Sequence, residues 1–359
     1  MTTNPIHTNR RDFLKTSILS GAAAIATPWI LSGSRGSEIT SVADPRRSQV
    51  AFTHGKDRAQ LAFEGLQSFR KGIAAAIGTK RVIIKPNNVA IDNPLAASHA
   101  ENLEGILEFL KSIGKANVAI AESAANGPTL DGFSNYGYDR LAGKYGASLL
   151  DLDREGFEMV HCFDEMDFHP HPCRMSKVLL DPGNFIISAA KFKTHDRVVA
   201  TLSLKNIVVG APIKDEGFRW GPGARAGAKN DKPVTHGSGF RGINYNLYAL
   251  APRLHPHLSV IDGYQGMEGE GPVSGTPVPH GVCVVSQDWL AADRVAIELM
   301  GIDFADVGYL NYCGQTGMGE TDLRKIEILG SELKDHIRPY KLASNINEQL
   351  IWKRKAAKT

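Results

Sequence analysis

Along residues 49–330, short apolar runs alternate with stretches in which apolar positions recur every three or four residues. The first pattern predicts buried strands and the second amphipathic helices. Strands are expected at residues 49–52, 82–84, 118–121, 148–152, 177–180, 185–188, 258–261, 282–285 and 325–329. A helix is expected over 57–77, where Leu61, Leu66, Phe69, Ile73 and Ile77 share a face. Others are expected at 99–113, 138–145, 198–209, 246–254 and 289–300, and near 305–312. Gly78 and Gly114 stand where the first two stop. Three segments lack a period: an irregular stretch at 155–173, a Gly-rich segment at 210–242 and a Gly/Pro loop at 263–281. The second is too long for an ordinary connection and reads as a lid, a substrate loop or a mobile link. Helices alternating with strands apolar on both faces predict an α/β fold. Its sheet is mostly parallel and flanked by helices, with long Gly-rich loops at the strand ends.

The N-terminal residues carry a different signal. Asn9-Arg10-Arg11-Asp12-Phe13-Leu14-Lys15 resembles the twin-arginine export motif. The apolar run that follows, Ile18 to Leu31, makes roughly 21 Å of helix, short of a bilayer core of about 30 Å. It therefore reads as a signal segment rather than a transmembrane anchor. Cleavage is expected after Ser41-Val42-Ala43, because the competing Ala24-Ile25-Ala26 lies inside the apolar run. The expected organisation is a signal peptide at 1–43, an α/β domain at 44–330 and a C-terminal tail at 331–359. Periplasmic or secreted localisation follows, with the export machinery as a partner.

Composition narrows the classes. The chain has 359 residues, 42% hydrophobic and 22% charged, so it is globular and large enough for a substantial core. Forty-one Lys and Arg against 38 Asp and Glu leave a net charge of +3, which gives no support for nucleic-acid binding. A small-molecule ligand is the expected partner. Four cysteines are too few for a disulfide scaffold, although Cys162 and Cys173 are spaced to pair in an oxidising compartment.

In open α/β sheets ligands bind beyond the carboxyl ends of the strands, so polar residues there are the candidates. They are Lys85 and Asn87 with Asn88, then Glu122-Ser123, then Lys191 to His195, then Asp262-Gly263. Lys85, Lys193 and His195 on one rim make a pocket for a carboxylate, a phosphate or another anion. On an extended segment Lys193 and His195 face the same way. A partly buried Lys beside another cation has a lowered pKa, suited to base or Schiff-base work, and His195 suits acid/base or ligand duty. Lys205 and Asn206 follow on a helical stretch. Asp262, Glu268, Glu270 and Asp293 add carboxylates, with a loop-holding or capping role for Asp293 equally open. Lys193, His195, Lys205 and Asp262 are the expected catalytic set. Lys85, Asn87, Asn206, Glu268, Glu270 and Asp293 are the expected binding set. His169, His171, Cys162 and Cys173 lie close enough to form a zinc or copper site, or the two cysteines a disulfide. No Gly-x-Gly-x-x-Gly follows the first strands, so no standard nicotinamide site is expected.

Six motifs in order resemble the domain-of-unknown-function 362 family. They are Lys85-Pro86-Asn87, Lys193-Thr194-His195, Leu204-Lys205-Asn206, Ile261-Asp262-Gly263, Met267 to Pro272, and Ser286-Gln287-Asp288-Trp289 running on to Asp293. The resemblance spans roughly residues 82–303. Glu270 stands where the family often has Asn. Some members carry a ferredoxin-like iron–sulfur module, but the four cysteines here lack its spacing and no such cluster is expected. The family name specifies no reaction. Two functions stay open: an enzyme of oxidoreductase, racemase or lyase type acting on a small anionic or carbonyl-bearing molecule, or an anion- or metal-binding protein without turnover. The identity of any cofactor, a metal ion included, is equally open.

Overall fold

Val82 and Ile84 enter one hydrophobic core while Ile83 enters another, which is why the strand around them is apolar on both faces. A computed structural model describes residues 47–354. The twin-arginine motif, the apolar run and both cleavage patterns lie outside the described residues. Within them are β1 (Ser48–His54), β2 (Arg81–Lys85), β3 (Val118–Glu122), β4 (Ser148–Asp151), β5 (Phe157–Phe163), β6 (Pro170–Ser176), β7 (Asn184–His195), β8 (Val199–Thr201), β9 (Leu258–Glu268), β10 (Thr276–Ser286) and β11 (Ile326–Gly330). Nine strands form one sheet in the order β11-β1-β10-β9-β7-β2-β3-β4, with β8 added to β7. The run β9-β7-β2-β3-β4 is parallel. β10 runs antiparallel to β9 and β1, and β11 parallel to β1. The fold is α/β.

One face is covered by the helices Arg58–Gln67, Arg70–Ile77, Ala100–Ser112 and Tyr138–Tyr145. The other carries Ser203–Val208, Phe240–Leu250, Trp289–Leu299 and Gly308–Gln315. Caps set several of their starts. The Asp288 carboxylate accepts from the Leu290 and Ala291 N–H groups, both at 3.0 Å, satisfying donors that the first turn leaves free. Among the described residues no helix is long and apolar enough to cross a membrane.

Several expectations are corrected. Residues 155–173 are not irregular: β5 and β6 pair as a separate two-stranded ribbon. Pro170 and Pro172 hid it, but in such a ribbon every second N–H faces an open edge, where proline costs no ladder bond. Residues 177–180 form a helical turn, not a strand, and 198–209 splits into β8 and the helix Ser203–Val208. The 57–77 helix breaks at Ser68-Phe69, and the 246–254 helix lies at Phe240–Leu250. The 263–281 loop is largely strand, because β9 continues to Glu268 and β10 begins at Thr276. Gly263 and Gly266 misled the reading. Both are packing positions, where an added Cβ would lie 2.6 Å from Val282 and 2.1 Å from the Tyr340 hydroxyl. Residues 331–354 of the expected C-terminal tail pack back on the domain. Tyr340 and Gln349 are buried, and the Gln349 Oε1 accepts from the Val199 N–H at 2.7 Å.

Helices Arg58–Gln67 and Ala100–Ser112 meet at Gly105, where an added Cβ would stand 2.2 Å from the Ala59 carbonyl oxygen. Gly105→Ala therefore forces the helices apart and destabilises the fold by about 1–3 kcal/mol. Urea unfolding checks this; an unchanged midpoint would show that the contact has slack.

Candidate functional site

The carboxyl ends of β2, β3 and β7 converge on a cavity of about 220 Å³. β2 brings Lys85 and the following Asn87 and Asn88, β3 brings Glu122 and Ser123, and β7 brings His195. Lys205 and Asn206 enter from the helix Ser203–Val208. The Gly-rich segment supplies a further wall with Trp220, Asn230, Lys232, Pro233 and His236, and Val89, Ala125 and Pro272 add to the lining.

The ends of the strands are stitched together by buried polar groups. Lys85 Nζ lies 2.7 Å from Glu122 Oε1 and also donates to the Pro86 carbonyl at 2.9 Å. Glu122 takes further N–H groups from Asn88 at 2.9 Å and Ser123 at 2.8 Å. Asn206 joins β2 to β7, donating to the Lys85 carbonyl at 3.1 Å and Ser188 Oγ at 3.0 Å. Its Oδ1 accepts from Asn87 at 3.0 Å, and Asn87 in turn accepts from Lys193 Nζ at 2.5 Å. Lys193 also donates to the Ala96 carbonyl at 2.8 Å, so its ammonium is occupied behind the cavity wall.

Positive charge exceeds negative here. Burial pushes Lys85 down, with Glu122 opposing the shift. Burial and the neighbouring Lys205 and Lys191 push Lys193 well down. Burial also brings Lys205 to about 8, against the pull of Asp196, and Lys232 to about 8, against Asp153 and Glu122. Lys232 donates to the Pro212 carbonyl at 2.7 Å. Lys205, which lines the cavity, makes no side-chain hydrogen bond or ion pair with any described residue.

The two cavity histidines are held in opposite tautomers. His195 Nδ1 accepts the Arg197 N–H at 2.9 Å, which places its ring proton on Nε2. His236 Nδ1 faces the Lys232 carbonyl at 3.1 Å and must carry the proton, leaving a lone pair on Nε2. Both stay neutral. Burial with nearby Lys205 pushes His195 well down and brings His236 to about 4. One therefore presents a donor and the other an acceptor.

Of the expected site residues, Lys85, Asn87, Asn206, His195 and Lys205 line the cavity, and Lys193 backs it. The carboxylates do not join them. Asp262 sits inside β9, with its Oδ2 3.4 Å from Arg58 Nε and its Oδ1 accepting from the Tyr264 N–H. β9 runs on to Glu268, and neither Glu268 nor Glu270 is among the cavity's lining residues. Glu268 accepts from the Lys341 N–H at 2.9 Å, and Glu270 from the Ser344 N–H at 2.8 Å, fastening the C-terminal segment. Asp293 is a cap: it accepts from the Ser203 and Leu204 N–H groups at 2.8 and 3.1 Å, starting the helix that carries Lys205. Burial lifts its carboxyl to about 7 even though those two N–H groups pull it down.

The metal candidates do not assemble. Among the described residues no three His, Cys, Asp or Glu side chains group to hold an ion. His171 Nε2 is taken by Asp167 at 2.8 Å, and His169 Nδ1 lies 2.6 Å from the Asp167 carbonyl. Cys162 on β5 and Cys173 on β6 are buried as free thiols. Lys232, His236 and Trp220 escaped the sequence reading. Their only signal is that the aperiodic 210–242 segment carries basic and aromatic residues, and nothing in it says which strand ends they meet.

Fold and cavity define an α/β protein with a lysine-rich cavity at the carboxyl rim of its sheet. Residues 82–298, more than half of the chain, match the family model "Domain of unknown function (DUF362)", and the chain belongs to that family. A thylakoid-associated protein of Synechocystis sp. is 24% identical over 243 residues, 67% of this chain and 69% of that protein. A crystal structure of a protein from Thermotoga maritima aligns with a TM-score of 0.39 and 13% identity. That alignment covers 69% of this chain and 60% of the other.

Removing the Asp293 carboxylate strands two buried donors. Asp293→Ala should cost about 2–3 kcal/mol in denaturant unfolding. A loss below about 0.5 kcal/mol would show that the helix carrying Lys205 is held by other contacts.

Proposed function

We propose that this chain is an enzyme acting on a small anionic, carbonyl-bearing molecule. The observation that carries the reading is the Lys205 ammonium, buried at the cavity wall with no carboxylate within ion-pair distance, Asp196 acting on it only from farther away. An unpaired buried charge is costly, and a bound anion would offset that cost. Lys232 adds to the positive field, although its ammonium is occupied by a carbonyl oxygen, whereas Lys85 is balanced by Glu122 and Lys193 is pushed well down. The histidines supply the chemistry. His236 Nε2 has the free lone pair to take a proton next to the carbonyl, as a weak base held at about 4 by burial and Lys205. His195 Nε2–H is a donor to the oxygen on which charge then develops. Proton abstraction beside a carbonyl is common to racemase and lyase types. An anion-binding protein without turnover would need Lys205 but not this pair of tautomers. The Arg10-Arg11 motif supports export of the folded domain by the twin-arginine route.

Sulfate is a suitable probe, because its own charge is constant over the relevant range. Lys205→Met should weaken sulfate binding at least tenfold by calorimetry, about 1.4 kcal/mol. In the wild type, affinity should fall as pH rises through about 8, because Lys205 and Lys232 then lose their protons. A flat profile from pH 6 to 9 would remove these lysines from the anion site. Turnover is tested by deuterium exchange into a panel of 2-oxo acids followed by NMR. Exchange in the wild type that falls at least a hundredfold in His236→Gln supports the enzyme. Sulfate binding without exchange supports the binding protein.

A further inference from the structure

The cavity does not end at the histidines. A second, outer groove of about 520 Å³ shares His195, Trp220, Pro233, His236 and Pro272 with it, so the two spaces adjoin across these residues. The outer groove adds Asp196, Arg197 and Ser238. Arg197 is exposed, with its guanidinium 5.5 Å from the centre of the Phe240 ring. That side chain makes no hydrogen bond or ion pair with any described residue. Asp196 is the one acid in the groove, and its Oδ1 lies 3.2 Å from His195 Nδ1. At the shared lip, Trp220 is 59% exposed; its backbone N–H is pinned to Asn126 Oδ1 at 2.8 Å, and its ring stands edge-on to Phe218.

From inside outward the path therefore runs from an unpaired ammonium, past two neutral imidazoles and a large aromatic surface, to an unpaired guanidinium. A ligand with one charge would use only the inner end. We infer that the ligand is an elongated dianion, with one anionic group on Lys205, the second on Arg197 and its middle section against His195, His236 and Trp220. A linear dicarboxylate and a phosphorylated carboxylate share this chemistry. A guanidinium fork accepts either end group by paired N–H donors. The inference deepens the proposed function and rests on its inner anion site. It also explains why the base stands mid-path: the proton it takes would come from a carbon between the two charged ends.

The test uses the natively exported protein and measures binding of succinate, glutarate and adipate. Each is compared with the linear monocarboxylate of equal chain length, and sulfate reports the inner site. The best dicarboxylate should bind at least tenfold tighter than its matched monocarboxylate. Arg197→Gln, at an exposed position, should bring that ratio below about two. O-phosphorylated hydroxy acids of similar length, run in parallel, tell whether a phosphate replaces one carboxylate with gain. A ratio near one in the wild type, or a ratio that Arg197→Gln leaves unchanged while sulfate still binds, overturns the dianion and spares the inner site. No sulfate binding overturns both.

Discussion

Taking an ammonium group out of water costs several kcal/mol unless other groups replace the lost solvation. This domain buries Lys85, Lys191, Lys193, Lys205, Lys214 and Lys232 near the ends of its parallel strands. Two have carboxylate partners at hydrogen-bonding distance, Lys85 with Glu122 and Lys214 with Asp153. Lys193 and Lys232 are served by amide and carbonyl oxygens. Only neutral dipoles serve those two amines at close range; burial pushes Lys193 well down, while Lys232 at about 8 keeps a positive charge at neutral pH. The rim depends on this constraint, because each compensating oxygen comes from a different strand or loop and must be held in place.

The holding is done by backbone geometry and by buried amides. Parallel strands present their carboxyl ends together, which puts residues from β2, β3 and β7 side by side. Asn206 ties two of these strands to the helix that also carries Lys205. Asp293, from the opposite end of the chain's core, starts that same helix. Asn206, which also lines the cavity, and Asp293, which does not, thus fix the helix that carries Lys205. A positioning network of this kind holds the Lys205 ammonium at the cavity wall with no carboxylate in contact, the arrangement that favours an anion over water.

The legible part of the site is the part with local cause. Lys85, Asn87, His195 and Lys205 were readable because apolar runs mark where strands and helices lie, and polar residues just past or late in those runs stand out. The carboxylates misled for an equally physical reason. Asp262 follows an apolar run, so it looked like a strand-end residue, yet β9 continues for six more residues because β10 pairs with it. Pairing partners are not written in the local pattern, and neither are the glycines that serve packing rather than turning. The ribbon of β5 and β6 was hidden by prolines for the same reason, since only the open edge makes them harmless.

Periodicity and strand-end polarity in the sequence alone determined the α/β class, most helix and strand positions and the first half of the basic rim, and six short motifs carried the family resemblance. These features are local, carried by the 2.0 and 3.6 residue repeats. Tertiary structure alone decided which charges are neutralised, which tautomer each histidine holds, and that Lys232, His236 and Trp220 close a cavity begun some 150 residues earlier at Lys85. Those properties depend on distances between distant segments and on the loss of water around them, and no local pattern encodes either.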